Sequence, residues 1–145
     1  RYKTAFSVAV LDIDNFKKLN DERGHQAGDE ALVHLVQVAK DELRITDQVA
    51  RLGGEEFLIM MPNTGRDTAA TIVTRLQRGL TKKYFLDKNE RVLITFSAGV
   101  AERMPGESQD ALIARADAAM YEAKRSGKNR VCLAPETPVP AVPQA

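Results

Sequence analysis

The sequence predicts an α/β (α+β) sandwich of ferredoxin-like type, with helices packed against one central mixed sheet. Three observations carry that expectation. "FSVAVLDID" (6–14) is a continuous apolar run ending in acids, which suits a strand buried on both faces. Further along, apolar residues return every three or four positions, the spacing of amphipathic helices. "QVAR" and "FLIMM" flank Gly53 and Gly54 and read as an antiparallel hairpin. Strands alternating with helices imply one sheet covered by helices, and the hairpin makes part of that sheet antiparallel. The 145 residues fit a single domain with a substantial core.

Taken in order, the first strand (6–14) leads into a short helix from Asn15 to about Asp21. The turn-rich "ERGHQAGD" follows. Asp29 reads as the cap of a second helix, in which Leu32, Leu35, Val36, Ala39 and Leu43 recur at helical spacing. After the hairpin, Ala69, Ile72, Val73, Leu76 and Leu80 mark a third helix from Asp67 to about Phe85. "VLITFSAGVA" (92–101) is a strand. A last helix, from about Gln109 to Ser126, turns Leu112, Ile113, Ala116, Met120 and Ala123 inward, and Gly127 ends it. "RVCLA" is a final short strand. The domain spans 1–134, and the proline-rich "PETPVPAVPQA" (135–145) reads as an extended, disordered linker.

Charge excludes one class of partner. With 21 basic and 20 acidic side chains, the net charge of +1 lacks the basic excess of nucleic-acid binders. Any polyanion held here is therefore small and held by local geometry. No apolar run approaches the roughly 20 residues needed to cross a bilayer, so no membrane insertion is expected of this chain. The single cysteine, Cys132, has no internal partner and points to a reducing, cytoplasmic setting. The chain starts directly on a strand, without Met or signal peptide, which reads as a piece of a longer protein.

"ARLGGEEFLIMMP" (50–62) puts two adjacent carboxylates at the hairpin tip. The expected layout brings that tip beside the end of the first strand, so that Asp12 and Glu55 face one another. Acids brought together by a fold share a proton, pair with cations or bind a metal. Oxygen donors without a histidine or cysteine cluster suit a hard ion such as Mg²⁺, whose shell is often completed by substrate phosphates. The competing interpretation is a helix cap at Asp14 and a solvated acidic turn. The occurrence of both motifs at strand ends favours the metal.

"GGEEF" (53–57), "DIDNFKKLND" (12–21), "GHQAGDEAL" (24–32) and "ADAAMYEAKRSGKN" (116–129) resemble, in order and spacing, the signature blocks of the GGDEF family of bacterial diguanylate cyclases. The resemblance implies a palm-type sheet and condensation of two GTP molecules to cyclic di-GMP with release of two pyrophosphates. One GTP is held by each of two facing domains, so a catalytic homodimer is implied. By the same resemblance Asp12, Glu55 and the carbonyl of Ile13 bind Mg²⁺, with Mn²⁺ a possible substitute. Glu55 also helps deprotonate the attacking hydroxyl, with Glu56 nearby. Lys17, one turn beyond the first strand, is placed to face the α-phosphate, the alternative being a solvated helix face shared with Lys18. Asn20 and Asp29 read guanine, His25 lies near ribose or base, and Phe16 and Leu32 wall the base pocket. Gly53 and Gly54 let backbone approach the nucleotide closely. Lys124 and Lys128 meet the terminal phosphates. Lys128 departs from the family's arginine, keeping the charge but not the planar fork.

"RITD" resembles the family's RxxD inhibitory site, in which Arg44 and Asp47, joined by Arg75, bind the cyclic di-GMP product away from the catalytic centre. The bland interpretation is an Arg–Asp pair one turn apart. A cyclic di-GMP- or GTP-binding regulatory module of a larger signalling protein, catalytically weak, is the alternative function. The family's usual "DxLTGLxNR"-like segment before the first strand does not occur in this sequence.

Overall fold

The computed structural model describes residues 4–136. Strand β1 (Phe6–Ile13) is followed by helices α1 (Phe16–Arg23) and α2 (His25–Glu42). Then come the hairpin strands β2 (Gln48–Gly53) and β3 (Glu56–Pro62), helix α3 (Arg66–Leu80), and a small hairpin of β4 (Phe85–Asp87) and β5 (Glu90–Val92). Strand β6 (Phe96–Glu102), helix α4 (Gln109–Arg125) and strand β7 (Arg130–Leu133) complete the domain. The main sheet runs β2-β3-β1-β6-β7. β1 is antiparallel to both neighbours, while β7 joins β6 in parallel. The first four strands thus have the ferredoxin-like order, and the expected fold class holds.

The apolar run of β1 has a direct cause. Its odd positions Ala9, Leu11 and Ile13 face a core built with α2 and α3, around Leu35, Phe57, Val73, Leu76 and Phe96. Its even positions Val8 and Val10 face a second core under α4, with Leu58, Leu112, Ala116 and Met120. A central strand covered on both faces has no solvent side, so it reads as a run rather than an alternation.

Helix α4 lies tight on β6. A Cβ added at Gly99 would sit 2.7 Å from Ala119 Cβ and inside contact with the Ala116 carbonyl. Only glycine allows this approach, which brings the C-terminal half of α4 over the end of β1. Ser108 caps the helix, accepting from the Ala111 amide at 3.1 Å. Arg115, 2% exposed, pairs with Glu107 and donates to the carbonyls of Glu102 and Pro135.

The structure corrects several expected boundaries. α2 begins at His25, with Gly24 at its N-cap, so Asp29 lies exposed inside the second turn and caps nothing. α1 runs to Arg23; its N-cap is Asn15, whose side chain makes no capping bond, and Asp14 is buried elsewhere. α3 stops at Leu80 rather than near Phe85, because Phe85 already belongs to the β4–β5 hairpin. Lys88 and Asn89 turn that hairpin at φ of 51° and 67°. The strand expected over 92–101 is accordingly divided: Val92 closes β5 and β6 starts at Phe96. The expected proline-rich linker falls almost wholly on 137–145, outside the described residues. No helix among them is long and apolar enough to cross a membrane.

Candidate active site

The site forms where β1 ends between the β2–β3 hairpin and β6. Register places Asp12 opposite Glu56 on β3 and opposite Ser97 on β6. The Ile13 amide donates to the Glu55 carbonyl at 3.3 Å, so the hairpin tip is pinned directly to the end of β1. Gly54 turns the tip at φ 50°, and its carbonyl accepts from Arg51 Nε at 2.9 Å. Asp12 and Glu56 lie on the α4 side of the sheet, like Val8, Val10 and Leu58. Lys124 on α4 reaches them there.

Electrostatically this is a crowded acidic corner. Asp12 is 9% exposed, and its Oδ1 is buried without a hydrogen-bond partner. Lys124 Nζ stands 3.4 Å from that oxygen, close enough for ion pairing but not aligned as a donor. Burial pushes the Asp12 carboxyl up to about 6; the Lys124 charge opposes this, and Glu55 and Glu56 reinforce it. Glu56 is also raised, by burial and then by Asp117 and Glu55. Asp117, on α4, is raised by burial. Acids raised by burial, and for Asp12 and Glu56 also by neighbouring carboxylates, make a corner in which added positive charge is favourable. Among the described residues, no three His, Cys, Asp or Glu side chains form a metal-holding group by themselves. An ion here would take Asp12, Glu55 and backbone oxygen, leaving positions for phosphate, as hard-ion sites commonly do.

The α1–α2 corner holds the second set of residues. Asn20 Oδ1 is also buried without a partner. It lies where Gly28 leaves room: a Cβ at Gly28 would fall on that oxygen, 2.9 Å from Asn20 Cγ and 3.2 Å from Phe16 Cζ. Leu32 lies in the α2/α3-side core and Phe16 packs against it, so core packing is what the fold shows for the two expected pocket walls. His25 and Asp29 are exposed on α2, and Lys17 is exposed on α1.

A third set lies across from α1. Asp14 Oδ1 accepts from Ser97 Oγ at 2.6 Å, and Oδ2 from Thr95 Oγ1 at 2.7 Å and the Asn129 amide at 2.9 Å. Lys124 Nζ is 3.6 Å from Asp14 as well. Lys128 donates to Asn15 Oδ1 at 2.8 Å. Both expected phosphate-facing lysines therefore flank the acidic corner.

Comparison with known proteins identifies the family and the fold. A family model described as "Diguanylate cyclase, GGDEF domain" matches residues 1–130. The chain belongs to the GGDEF domain family. It is 37% identical over 132 residues to diguanylate cyclase A of Treponema denticola, covering 90% of this chain and 36% of that protein. It is 40% identical over 127 residues to diguanylate cyclase DgcP of Pseudomonas aeruginosa, covering 88% of this chain and 19% of that one. The chain thus spans little more than a third of these relatives, or less. Among solved structures, it resembles the GGDEF domain of DgcB from Caulobacter crescentus in complex with c-di-GMP. That match has a TM-score of 0.85 and 39% identity, covering 90% of this chain and 78% of that one. The active GGEEF domain of a diguanylate cyclase from Vibrio cholerae superposes with a TM-score of 0.84 at 35% identity, over 92% and 85% of the two chains.

Within this GGDEF domain the "RITD" residues lie apart from the acidic corner. Asp47 accepts from the Arg44 backbone amide at 3.0 Å and from its guanidinium at 2.8 and 3.1 Å. Arg44 also donates to Thr64 Oγ1. These two residues border a cavity of about 390 Å³ with Leu43 and the fully exposed Ile45. Arg75 instead pairs with Glu42 at 3.5 Å and lines a neighbouring cavity of about 660 Å³ with Arg78, Lys82 and Lys83. Arg44 and Asp47 are thus joined directly, while Arg75 reaches the end of α2 just before them.

Two residues escaped the sequence reading. Asp117 lies seven positions before Lys124, two helical turns, so a shared face was legible in the spacing. Asp14 has no sequence signal beyond its place before a helix, since its partners Thr95 and Ser97 lie more than eighty residues away.

Proposed function

We propose that this GGDEF domain is a diguanylate cyclase that condenses two GTP molecules to cyclic di-GMP, one GTP on each of two facing domains. The single observation that carries the reading is Asp12: a carboxylate oxygen buried without a partner, beside Glu55 and Glu56 and under Lys124. A buried acid kept in this state weakens the fold unless a cation completes it. The all-oxygen donor set and the orphaned Oδ1 fit Mg²⁺, held by Asp12, Glu55 and the Ile13 carbonyl, and Mn²⁺ by the same chemistry. When bound, such an ion supplies positive charge to the triphosphate and acidifies the attacking hydroxyl.

The protein's own residues do the rest. Asn20, with its unpaired amide oxygen beside Gly28, and Asp29 read the guanine edge, with Phe16 and Leu32 under the base and His25 near the sugar. Gly53 and Gly54 admit the nucleotide close to the backbone. Lys124 and Lys128 take the β- and γ-phosphates, and Lys17 faces the α-phosphate. The 3′-hydroxyl of one GTP attacks the α-phosphorus of the other. The new O–P bond forms as the bond to the β-phosphate oxygen breaks and pyrophosphate leaves. Glu55, with Glu56 beside it, accepts the hydroxyl proton. Repeating the step in the opposite sense closes the ring. Product returns to Arg44, Asp47 and Arg75, where guanidinium groups meet phosphate and guanine edges.

The test is incubation of the domain, fused to a dimeric coiled coil, with GTP and Mg²⁺, followed by chromatography of the products. Cyclic di-GMP and pyrophosphate are expected in a 1:2 ratio. Glu55→Gln, which keeps shape and removes a charge, is expected to fold normally and abolish turnover. No product from the dimeric parent, or most of the rate retained in Glu55→Gln, overturns the assignment.

A further inference from the structure

We propose that Asp14 and Asn15 are positioning residues that hold Lys124 and Lys128 at the mouth of the acidic corner. The inference rests on the reading above, in which these lysines receive the terminal phosphates of GTP. The Asp14 side chain is 1% exposed, yet its two carboxylate oxygens accept hydrogen bonds from two parts of the chain and face the Lys124 ammonium at 3.6 Å. Ser97 and Thr95 come from the start of β6 and the residues before it, Asn129 from the α4–β7 loop, and Lys124 from α4. Packing alone would be served as well by an apolar side chain, since burying a charge is costly unless it is fully partnered. The charge has a use beyond packing. Lys124 lies between Asp12 at 3.4 Å and Asp14 at 3.6 Å. Once Asp12 is taken by a cation, Asp14 remains as the fixed anion that keeps the ammonium from swinging into solvent.

The same carboxylate shapes the loop bearing the second lysine. Lys128 adopts φ 66°, a conformation unfavourable for a lysine, and Asn129 follows at φ 50°, which asparagine tolerates better. The loop is held there by the Lys128 amide on the Ala123 carbonyl at 2.9 Å and the Asn129 amide on Asp14. Asn15, itself at φ 57°, presents Oδ1 to the Lys128 ammonium. One dipeptide thus fixes both cations, the first through the buried carboxylate and the second through the exposed amide.

The experiment compares GTP and GMP binding by calorimetry in Mg²⁺ for the parent, Asp14→Asn and Asn15→Gly. Glycine accepts the left-handed backbone of position 15 without strain, so that variant removes only the side chain. Positioning predicts a selective loss. Asp14→Asn should bind GTP about tenfold more weakly, at the low end of the value of a hydrogen bond to a charged group, and Asn15→Gly about threefold. GMP, which lacks the terminal phosphates, should bind all three proteins alike. Unchanged GTP-over-GMP preference in Asn15→Gly and Asp14→Asn overturns the inference, and so does an equal loss of both nucleotides, the mark of a merely structural role. A parent with no preference for GTP would instead overturn the phosphate assignment of Lys124 and Lys128, and that result is visible before any variant is made.

Discussion

Gly28→Ala separates stability from recognition. On an open helix face, this substitution stabilises by about 0.5–1 kcal/mol, since alanine restricts the unfolded chain more than glycine does. Here the new methyl falls on Asn20 Oδ1, 2.9 Å from Asn20 Cγ and 3.2 Å from Phe16 Cζ. Asn20 must rotate out or the α1–α2 packing must open. Forced overpacking costs about 1–3 kcal/mol, of which the helix gain returns part, so the net loss of stability should be about 0–2.5 kcal/mol. Recognition should suffer more distinctly. On the proposed guanine-reading role, a displaced Asn20 would leave the base without its amide partner, and an unmet polar group costs about 1–3 kcal/mol, or roughly 5- to 150-fold in GTP affinity. Urea titration reads the first quantity and calorimetric GTP titration the second. A double-mutant cycle with Asn20→Ala gives the decisive comparison: if Gly28 acts through Asn20, adding Gly28→Ala to Asn20→Ala should cost no further affinity. Parent-like GTP affinity in Gly28→Ala, or fully additive losses in the cycle, would refute the steric argument.

Three further outcomes are expected. Arg115→Leu should cost about 3–5 kcal/mol in urea unfolding, because Glu107, with a side chain 5% exposed, loses its guanidinium; a loss below about 1 kcal/mol would contradict this. Asp12 is raised in the folded state to about 6, above its ordinary 3.8. Its contribution to stability is therefore fully present below pH 3.8 and lost as pH rises through 6. Melting in EDTA should show that loss between pH 4 and 7, Mg²⁺ should reverse it at pH 7, and a Mg²⁺ effect equal at pH 4 and 7 would count against Asp12 as the ligand. Arg44→Ala should weaken cyclic di-GMP binding about tenfold to a hundredfold while leaving initial velocity nearly unchanged, and unaltered product binding would reduce "RITD" to a surface pair.

What was legible in the sequence was local or periodic. β1 announced itself because both of its faces are covered, and α3 and α4 because their apolar residues keep one face to the sheet. The β4–β5 hairpin was missed. Tyr84 and Phe85 continue the helical spacing of Leu76 and Leu80, and Lys88–Asn89 reaches its left-handed turn without the glycine that usually signals one. Asp29 looked like a cap because it precedes an apolar run, but α2 already starts after Gly24, five residues earlier. The acids at Asp12, Glu55 and Glu56 were found because motif and expected topology coincided. Asp14 was beyond reach, since only the folded sheet brings Thr95, Ser97 and Asn129 to it.

The left-handed turn at Lys128 also bears on directed evolution. A side chain at φ 66° sacrifices about 1–2 kcal/mol that glycine would keep. A library screened for heat resistance alone should therefore enrich Gly at position 128, discarding a cation that the melting point does not reward. Heat-selected survivors would stand on firmer backbone and bind nucleotide less well, so a screen on this domain must score ligand retention beside survival.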